Sequence, residues 1–109
     1  FPVNRLAQVA GLAALDDQEF LQRTVAVNRV ERRFLYGELD RLKLDYVPSQ
    51  ANFILVEIGS NAGRVFQALL EKGVIVRRCL SYDLPGSLRV SVGTHEQNAR
   101  FIAALEEVL

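Results

Sequence analysis

The longest helical pattern in the sequence places the strongest constraint on the fold. The segment DDQEFLQRTVAVNRVERRFLYGELDRL, residues 16–42, carries apolar residues at mostly helical spacing. Asp16 can serve as its N-cap, with Glu19 at capping-box spacing. Such a helix would be ~39 Å long, whereas a compact domain of this size has a radius of gyration of only ~13 Å. We therefore expect the helix to bridge to another domain or subunit; a kink near Gly37 is the alternative.

Composition excludes several classes of protein. The 109 residues include 13 basic and 13 acidic side chains, which argues against a nucleic-acid partner. No apolar run approaches the ~20 residues of a membrane span, so no membrane partner is expected, and no signal-peptide pattern is present. A single cysteine, Cys79, excludes an internal disulfide framework and fits a reducing compartment. The sequence contains no Met and opens on FPVNRL, so we expect a piece of a longer protein.

An Ala-rich helix is predicted over 3–15, and few later segments have a pattern suited to pack against it.

Beyond residue 43 the pattern alternates between strands and helices. The order β, β, α, β, β, α predicts an α+β fold, with a small, mostly antiparallel sheet of three or four strands and helices on one face. If the last strand lies between the second and third, both its neighbours are antiparallel and the crossover stays right-handed. The predicted strands are 44–49, 52–58, 74–77 and 87–92, and the predicted helices are 61–72 and 95–108.

Two arginines are predicted on the sheet face that no helix covers. Alternation along SLRVSV directs Leu88, Val90 and Val92 toward the helices and Ser87, Arg89 and Ser91 away from them. Arg77 ends its strand and can project to the same side. Arginine suits carboxylate or phosphate capture because its planar fork makes two parallel hydrogen bonds. We predict an open anion-binding face that another body closes. The alternative is a solvated arginine, or one paired with Asp83 or Glu57.

Other candidate residues carry little chemistry. His95, the only histidine, falls in the first turn of the last helix and is expected at the surface. Cys79 lacks a second cysteine or a histidine pattern and is expected to be a passive thiol, although two arginines precede it. Arg78 begins the loop after its predicted strand and is expected in solvent. No metal-ligand cluster, P-loop or dinucleotide glycine motif is present. We therefore predict no metal site and no catalytic residue in this chain.

Three motifs stand out after the long helical pattern: PS-ANF (48–53), GVIVR (73–77) and LRVSVGT (88–94). In these motifs the chain resembles the C-terminal part of histidinol-phosphate aminotransferases, pyridoxal-phosphate enzymes of fold type I. FPVN and LAQVAGLAALDD are similar to the segment in which this family leaves its large domain. The resemblance implies that residues 1–15 end the large-domain region, 16–43 form the bridging helix and 44–109 form the C-terminal small domain.

The resemblance also implies an activity. The family transfers an amino group reversibly between L-histidinol phosphate and 2-oxoglutarate, as a cytoplasmic homodimer using pyridoxal 5'-phosphate. Arg89 would bind the anionic group of the substrate, Arg77 would be a second anion contact, and Asn52 would support the site.

One departure from the family concerns lysine. A transaminase needs a lysine amine for its Schiff base, but Lys43 and Lys72 do not stand in the family's Ser-Lys context. We expect the coenzyme to be bound by a large domain outside this chain, and the 109 residues to be inactive alone. Two alternatives stay open. One is a related aminotransferase or decarboxylase, acting on aromatic amino acids or phosphothreonine; the other is a non-enzymatic, ferredoxin-like module that binds ligands or dimerises.

Overall fold

Four helices and four strands make up the protein in a computed structural model that describes residues 1–109. None of the helices combines the length and the apolar character that crossing a bilayer requires. Short 3-10 turns lie at Gly59–Asn61 and Leu80–Tyr82. The elements are α1 Arg5–Asp16, α2 Gln18–Arg41, β1 Tyr46–Val47, β2 Phe53–Glu57, α3 Ala62–Glu71, β3 Arg77–Cys79, β4 Leu84–Ser91 and α4 His95–Val108.

The sheet has the predicted topology. Its strand order is β1-β2-β4-β3, and all three neighbouring pairs are antiparallel. The last strand therefore lies between the second and third, as expected from the right-handed crossover. Helices α3 and α4 pack against each other and on one face of this sheet, so the predicted α+β class is confirmed.

The core fills the space between that sheet face and the helices. Fifteen buried apolar residues form one cluster, drawn from the C-terminal half of α2, the sheet, α3 and α4. The cluster includes Leu35 and Leu39 of α2, Ile54 and Val56 of β2, Val65 and Leu69 of α3, Leu88 and Val90 of β4, and Phe101, Ile102, Leu105 and Val108 of α4.

Only the C-terminal half of α2 joins this core. Helix α1 has no buried residue, and Glu31 is the first buried residue of α2. The helix continues without interruption through Gly37. The molecule is accordingly elongated, at 44 × 32 × 24 Å, and its radius of gyration of 16.1 Å exceeds the ~13 Å of a compact domain. The shape agrees with a helix that reaches beyond its own domain.

The structure corrects several predicted boundaries. The N-cap of α2 is Asp17, not Asp16, because the Asp17 side chain accepts from Phe20 N at 2.9 Å. The third strand begins at Arg77 instead of residue 74. Helix α3 ends in a left-handed turn at Gly73, with φ of 72°, and residues 74–76 return the chain to the sheet.

This shift of the third strand changes the position of Arg78. Arg78 pairs with Leu88 in the β3–β4 register, and Leu88 faces the helices. The guanidinium therefore lies beside Gly63 of α3, half-buried, with a buried Nε that makes no hydrogen bond. The expectation of a solvated Arg78 was wrong because it placed this residue in a loop after the strand.

Two neighbouring leucines on α3 test how the core supports the fold. Leu69 is fully buried, whereas Leu70 is 40% exposed. We expect Leu69→Ala to lower the free energy of unfolding by about 2–5 kcal/mol, since it removes buried methyl groups and leaves a cavity. The matched control Leu70→Ala should cost less than about 1 kcal/mol. Chemical denaturation measures both, and equal losses would contradict this account of the core.

An ion pair that links α2 to α4 predicts a dependence of stability on pH. Arg41 donates to both carboxylate oxygens of Glu106, at 2.8 and 3.0 Å. This hydrogen bonding, followed by the charge of Arg41, lowers the pKa of Glu106 from its ordinary value of 4.5. The stabilisation is therefore complete above pH 4.5 and is lost as the pH falls through the lowered pKa.

We expect acid to reduce the free energy of unfolding of the wild type more steeply than that of Glu106→Gln. Denaturant titrations between about pH 6 and pH 2 would measure both curves. The difference should shrink in about 1 M salt, because the pair is solvent-exposed. Parallel curves for the two proteins would show that the pair contributes nothing.

Candidate functional site

The sheet face opposite α3 and α4, here called the open face, carries the two predicted arginines. Arg77 and Arg89 are direct partners in the antiparallel register of β3 and β4. On its other side Arg89 pairs with Leu55, which in turn pairs with Val47. Because direct partners share a face, these four side chains form one row across all four strands. The prediction that Arg77 and Arg89 project to the same side is thus confirmed.

The arginine pair is not neutralised by any acid of this chain. Neither guanidinium takes part in the four ion pairs of the structure. Glu57, one of the predicted alternative partners, instead accepts from Ser87 Oγ at 2.6 Å and from Gly59 N at 3.2 Å. Like charges directly opposite each other destabilise a sheet. An anion bound near both guanidinium groups would therefore offset this repulsion.

Phe53 holds the Arg89 guanidinium over its ring. The Arg89 Cζ lies 5.3 Å from the ring centroid, within the range of a cation–π contact. Phe53 pairs with Ser91, so it lies diagonally across the strand pair from Arg89. No local sequence pattern predicts this contact. It depends on the β2–β4 register, because diagonal neighbours on one face lie within reach of an aromatic ring.

Exposure differs between the two arginines in a way that suits ligand binding. Arg89 is half-buried and Arg77 is exposed at the sheet edge. A planar guanidinium restrained by a ring loses less freedom when it binds a carboxylate or phosphate in a bidentate manner. Arg77, its register partner on β3, adds a second positive charge to the same face. The geometry therefore fits an anionic group lying over the open face.

The burial of Ser87 shows that the open face is less uniformly exposed than predicted. Its side chain was expected to line an uncovered surface with Arg89 and Ser91. Ser87 is only 2% exposed, because it donates to the Glu57 carboxylate across the β2–β4 pair. Ser91 is exposed, as expected. The polar face is thus open around the arginines and closed by hydrogen bonds at its Glu57 end.

Asn52 lies at the start of β2, beside α2. Its backbone carbonyl accepts from Val92 N at 2.8 Å and so joins the beginning of β2 to the end of β4. It also lines a hollow of about 390 Å³ together with Thr24, Asn28 and Gln97. Asn52 therefore lies in a hollow next to α2 and outside the arginine row. Its backbone joins β2 to β4, the strand that carries Arg89.

The remaining candidates lie outside the arginine row. His95 is exposed, and its Nδ1 lies 3.3 Å from the Glu31 carboxylate. The thiol of Cys79 is buried and approaches Arg77 O at 3.9 Å. No group of three or more His, Cys, Asp or Glu side chains is arranged to hold a metal ion.

Sequence and structure comparisons place the chain in a known group of enzymes. The family model for aminotransferases of class I and II matches residues 1–105. The chain is 55% identical, over all of its 109 residues, to the histidinol-phosphate aminotransferase of Symbiobacterium thermophilum, and covers 30% of that protein. It is likewise 47% identical to the histidinol-phosphate aminotransferase of Methylobacillus flagellatus and covers 29% of that protein.

A solved structure supports the same assignment. The histidinol-phosphate aminotransferase of Sinorhizobium meliloti, in complex with pyridoxal-5'-phosphate, superposes with a TM-score of 0.85 at 26% identity. The match covers 95% of this chain and 29% of that one. The chain thus spans about 30% of the length of its relatives. With a family match over nearly its whole length, the chain belongs to the aminotransferases of class I and II.

Proposed function

We propose that this chain is the C-terminal small domain of a pyridoxal-phosphate-dependent histidinol-phosphate aminotransferase. The reaction would transfer an amino group reversibly between L-histidinol phosphate and 2-oxoglutarate. The observation that carries the proposal is the arginine pair without acidic partners on the open face. The similarity to enzymes of this name supports the choice of substrate.

Both substrates of this reaction fit the same pair of cations. L-histidinol phosphate offers a phosphate and 2-oxoglutarate offers carboxylates, and each matches the fork of a guanidinium. Arg89 would make the principal contact, because Phe53 restrains it over the sheet. Arg77, opposite and more exposed, would complete the binding of the anion. The attraction increases when closure over the open face excludes water.

The division of the chain follows from the same proposal. Residues 1–15 would end the large-domain region, residues 16–43 would bridge, and residues 44–109 would form the small domain. The uncovered apolar side chains of α1 and of the first half of α2 support this division, since patches of that kind mark contact surfaces. The uncovered apolar side chains include Leu6, Val9, Leu12, Leu15, Phe20, Leu21 and Val25.

We also propose that the intact enzyme is a homodimer located in the cytoplasm, as this enzyme class implies.

The residues of this chain do not fit a site for the coenzyme itself. Pyridoxal phosphate supplies the electron sink of a transamination and is held through a lysine. The Lys72 ammonium pairs with Glu107 at the surface of the helical layer, opposite the open face. Lys43 is exposed at the turn that follows α2. In the proposed enzyme the coenzyme would therefore be bound by residues outside this chain.

The amino donor can be identified by an assay of the intact enzyme that contains this chain. We expect L-histidinol phosphate to be used with a kcat/KM at least about 100-fold above that of L-histidinol, which lacks the phosphate that the arginines bind. Glutamate formation from 2-oxoglutarate is the measurement. Phenylalanine, aspartate and phosphothreonine serve as competing donors. A preference for any of them would reject the proposed substrate and favour another member of the family.

Substitution of the arginines tests their assignment. Arg89→Gln should lower kcat/KM for L-histidinol phosphate by about 10–150-fold, the effect of losing a hydrogen bond to a charged group. Arg77→Gln should have a smaller effect in the same direction, because Arg77 is the more exposed. Arg100→Gln is the matched control, since Arg100 lies on α4 and donates to Lys72 O. Unchanged kinetics in Arg89→Gln would exclude its proposed role.

A further inference from the structure

The long helix α2 buries one carboxylate among the apolar residues that it sends into the core. Glu31 is 7% exposed and is the only buried acidic residue of the chain. Burial of a carboxylate is costly, and apolar residues of similar volume often stabilise a core at least as well. Packing alone therefore does not explain the presence of the Glu31 carboxylate in the core.

The partners of Glu31 lie at the beginning of α4. Asn98 donates from Nδ2 to the Glu31 carboxylate at 2.9 Å. His95 Nδ1 lies 3.3 Å from each oxygen of the same group. Glu31 also lies near the N-terminus of α4, where the helix dipole favours a negative charge. The carboxylate accepts hydrogen bonds only, so it requires Asn98 to present its NH2 group.

The orientation of Asn98 in turn sets the conformation of Gly93. With Nδ2 directed at Glu31, Asn98 Oδ1 accepts from Gly93 N at 2.9 Å. Asn98 Nδ2 also donates to Gly93 O at 3.1 Å. Both backbone polar groups of Gly93 are therefore held by one side chain. Reversal of the amide would set an oxygen against the carboxylate and an NH2 against the Gly93 N–H.

Gly93 belongs to the turn that ends the Arg89 strand. It follows β4 by two residues, and its neighbour Val92 donates to Asn52 O at 2.8 Å. The turn thus connects the end of β4 to the start of β2, where Phe53 holds the Arg89 guanidinium. A change at Gly93 would be transmitted to both strands that define the position of Arg89.

The same side of α2 binds the loop before β2. Asn28 Nδ2 and Arg32 Nη1 donate to Ala51 O at 3.2 and 2.9 Å. One turn further along, Tyr36 OH accepts from Ser49 N at 2.7 Å. The helix is therefore linked by polar contacts to both chain segments that flank the β2–β4 pair, and Glu31 provides the link to the β4 side.

We propose that Glu31 is a positioning residue for Arg89, acting through Asn98 and Gly93. It would keep the anion-binding strand in a fixed position relative to the bridging helix. The inference rests on the proposed function for its substrate, but its contacts do not depend on the substrate. Loss of the carboxylate should loosen the Gly93 turn and let the Arg89 guanidinium move away from the anion.

A charge exchange between Glu31 and Asn98 tests this role in the intact enzyme. In Glu31→Gln we expect the KM for L-histidinol phosphate to rise about 10-fold, since small misplacements of a binding group are costly. The kcat at saturation should stay within about twofold, because the reacting groups are untouched. Asn98→Asp should raise KM further, as it places two carboxylates against each other.

The double variant Glu31→Gln/Asn98→Asp should have a lower KM than Asn98→Asp alone, without full recovery of the wild-type value. In it, the glutamine amide can donate to the aspartate, whose second oxygen can accept from Gly93 N, but the donor to Gly93 O is lost. Glu38→Gln is the control on the same helix, because Glu38 pairs only with the exposed Arg41. A folded Glu31→Gln enzyme with unchanged KM would overturn the proposal, even if its stability were lower.

Two measurements separate this proposal from the identity of the substrate. Hydrogen exchange at Val92 and Gly93 should accelerate in Glu31→Gln, and the affinity for inorganic phosphate, measured by calorimetry, should fall. Both changes are expected even if the wild type uses another amino donor, and failure of both would reject the positioning role. If neither Glu31→Gln nor Asn98→Ala folds, the network serves folding and the proposal is wrong.

Discussion

The candidate site depends on the strand register that pairs Arg77 directly with Arg89. An antiparallel register places two guanidinium groups on one face of the sheet, and no acid of the chain neutralises them. Such a pair is unfavourable within the isolated sheet. In the proposed function, an anion bound beside both guanidinium groups would offset this repulsion. Phe53, which holds the Arg89 guanidinium over its ring, would keep one of the two cations in place for that anion.

The open face exists because the fold uses only one side of its sheet for the core. The helices α3 and α4 cover the apolar side, and the fifteen-residue cluster lies there. On the opposite side, the guanidinium groups of Arg77 and Arg89 are free of acidic partners and would be available to a ligand and to another domain or subunit that packs there. In the proposed aminotransferase, this arrangement would let the small domain supply positive charge while residues outside this chain hold the coenzyme. The two lysines of the chain agree with that division, since neither lies in the arginine row.

The long helix relates this face to the remainder of the molecule. Its second half enters the core through Leu35 and Leu39, and its polar residues bind the backbone before β2 and the Asn98 side chain of α4. Its first half and α1 remain uncovered. One helix therefore carries two kinds of surface, one committed to this domain and one available to another. At the boundary between these two surfaces, the buried carboxylate of Glu31 links α2 to α4 through Asn98.

Much of this architecture was predictable from local patterns. Alternation along SLRVSV assigned Arg89 to the uncovered face, and the order of elements led to the correct strand order. Helix α4 has its predicted bounds, and Thr94 and Gln97 form a capping box at its start. These features depend on residues close in sequence, or on topological rules that hold for all small sheets. The third strand was misplaced because Val74, Ile75 and Val76 have high strand propensity, whereas the turn at Gly73 requires them for the return to the sheet.

Other features depended on contacts between distant segments. The Phe53–Arg89 contact requires the β2–β4 register, and the burial of Ser87 requires Glu57 opposite it. The link from Glu31 to Asn98 spans 67 positions and joins two helices whose patterns gave no sign of it. The sequence by itself determined the elements, their order and the face of the arginines, because those follow from periodicity and chain connectivity. Only the tertiary structure decided which groups neutralise, stack on or position one another, because register and helix packing bring together residues that no local pattern relates.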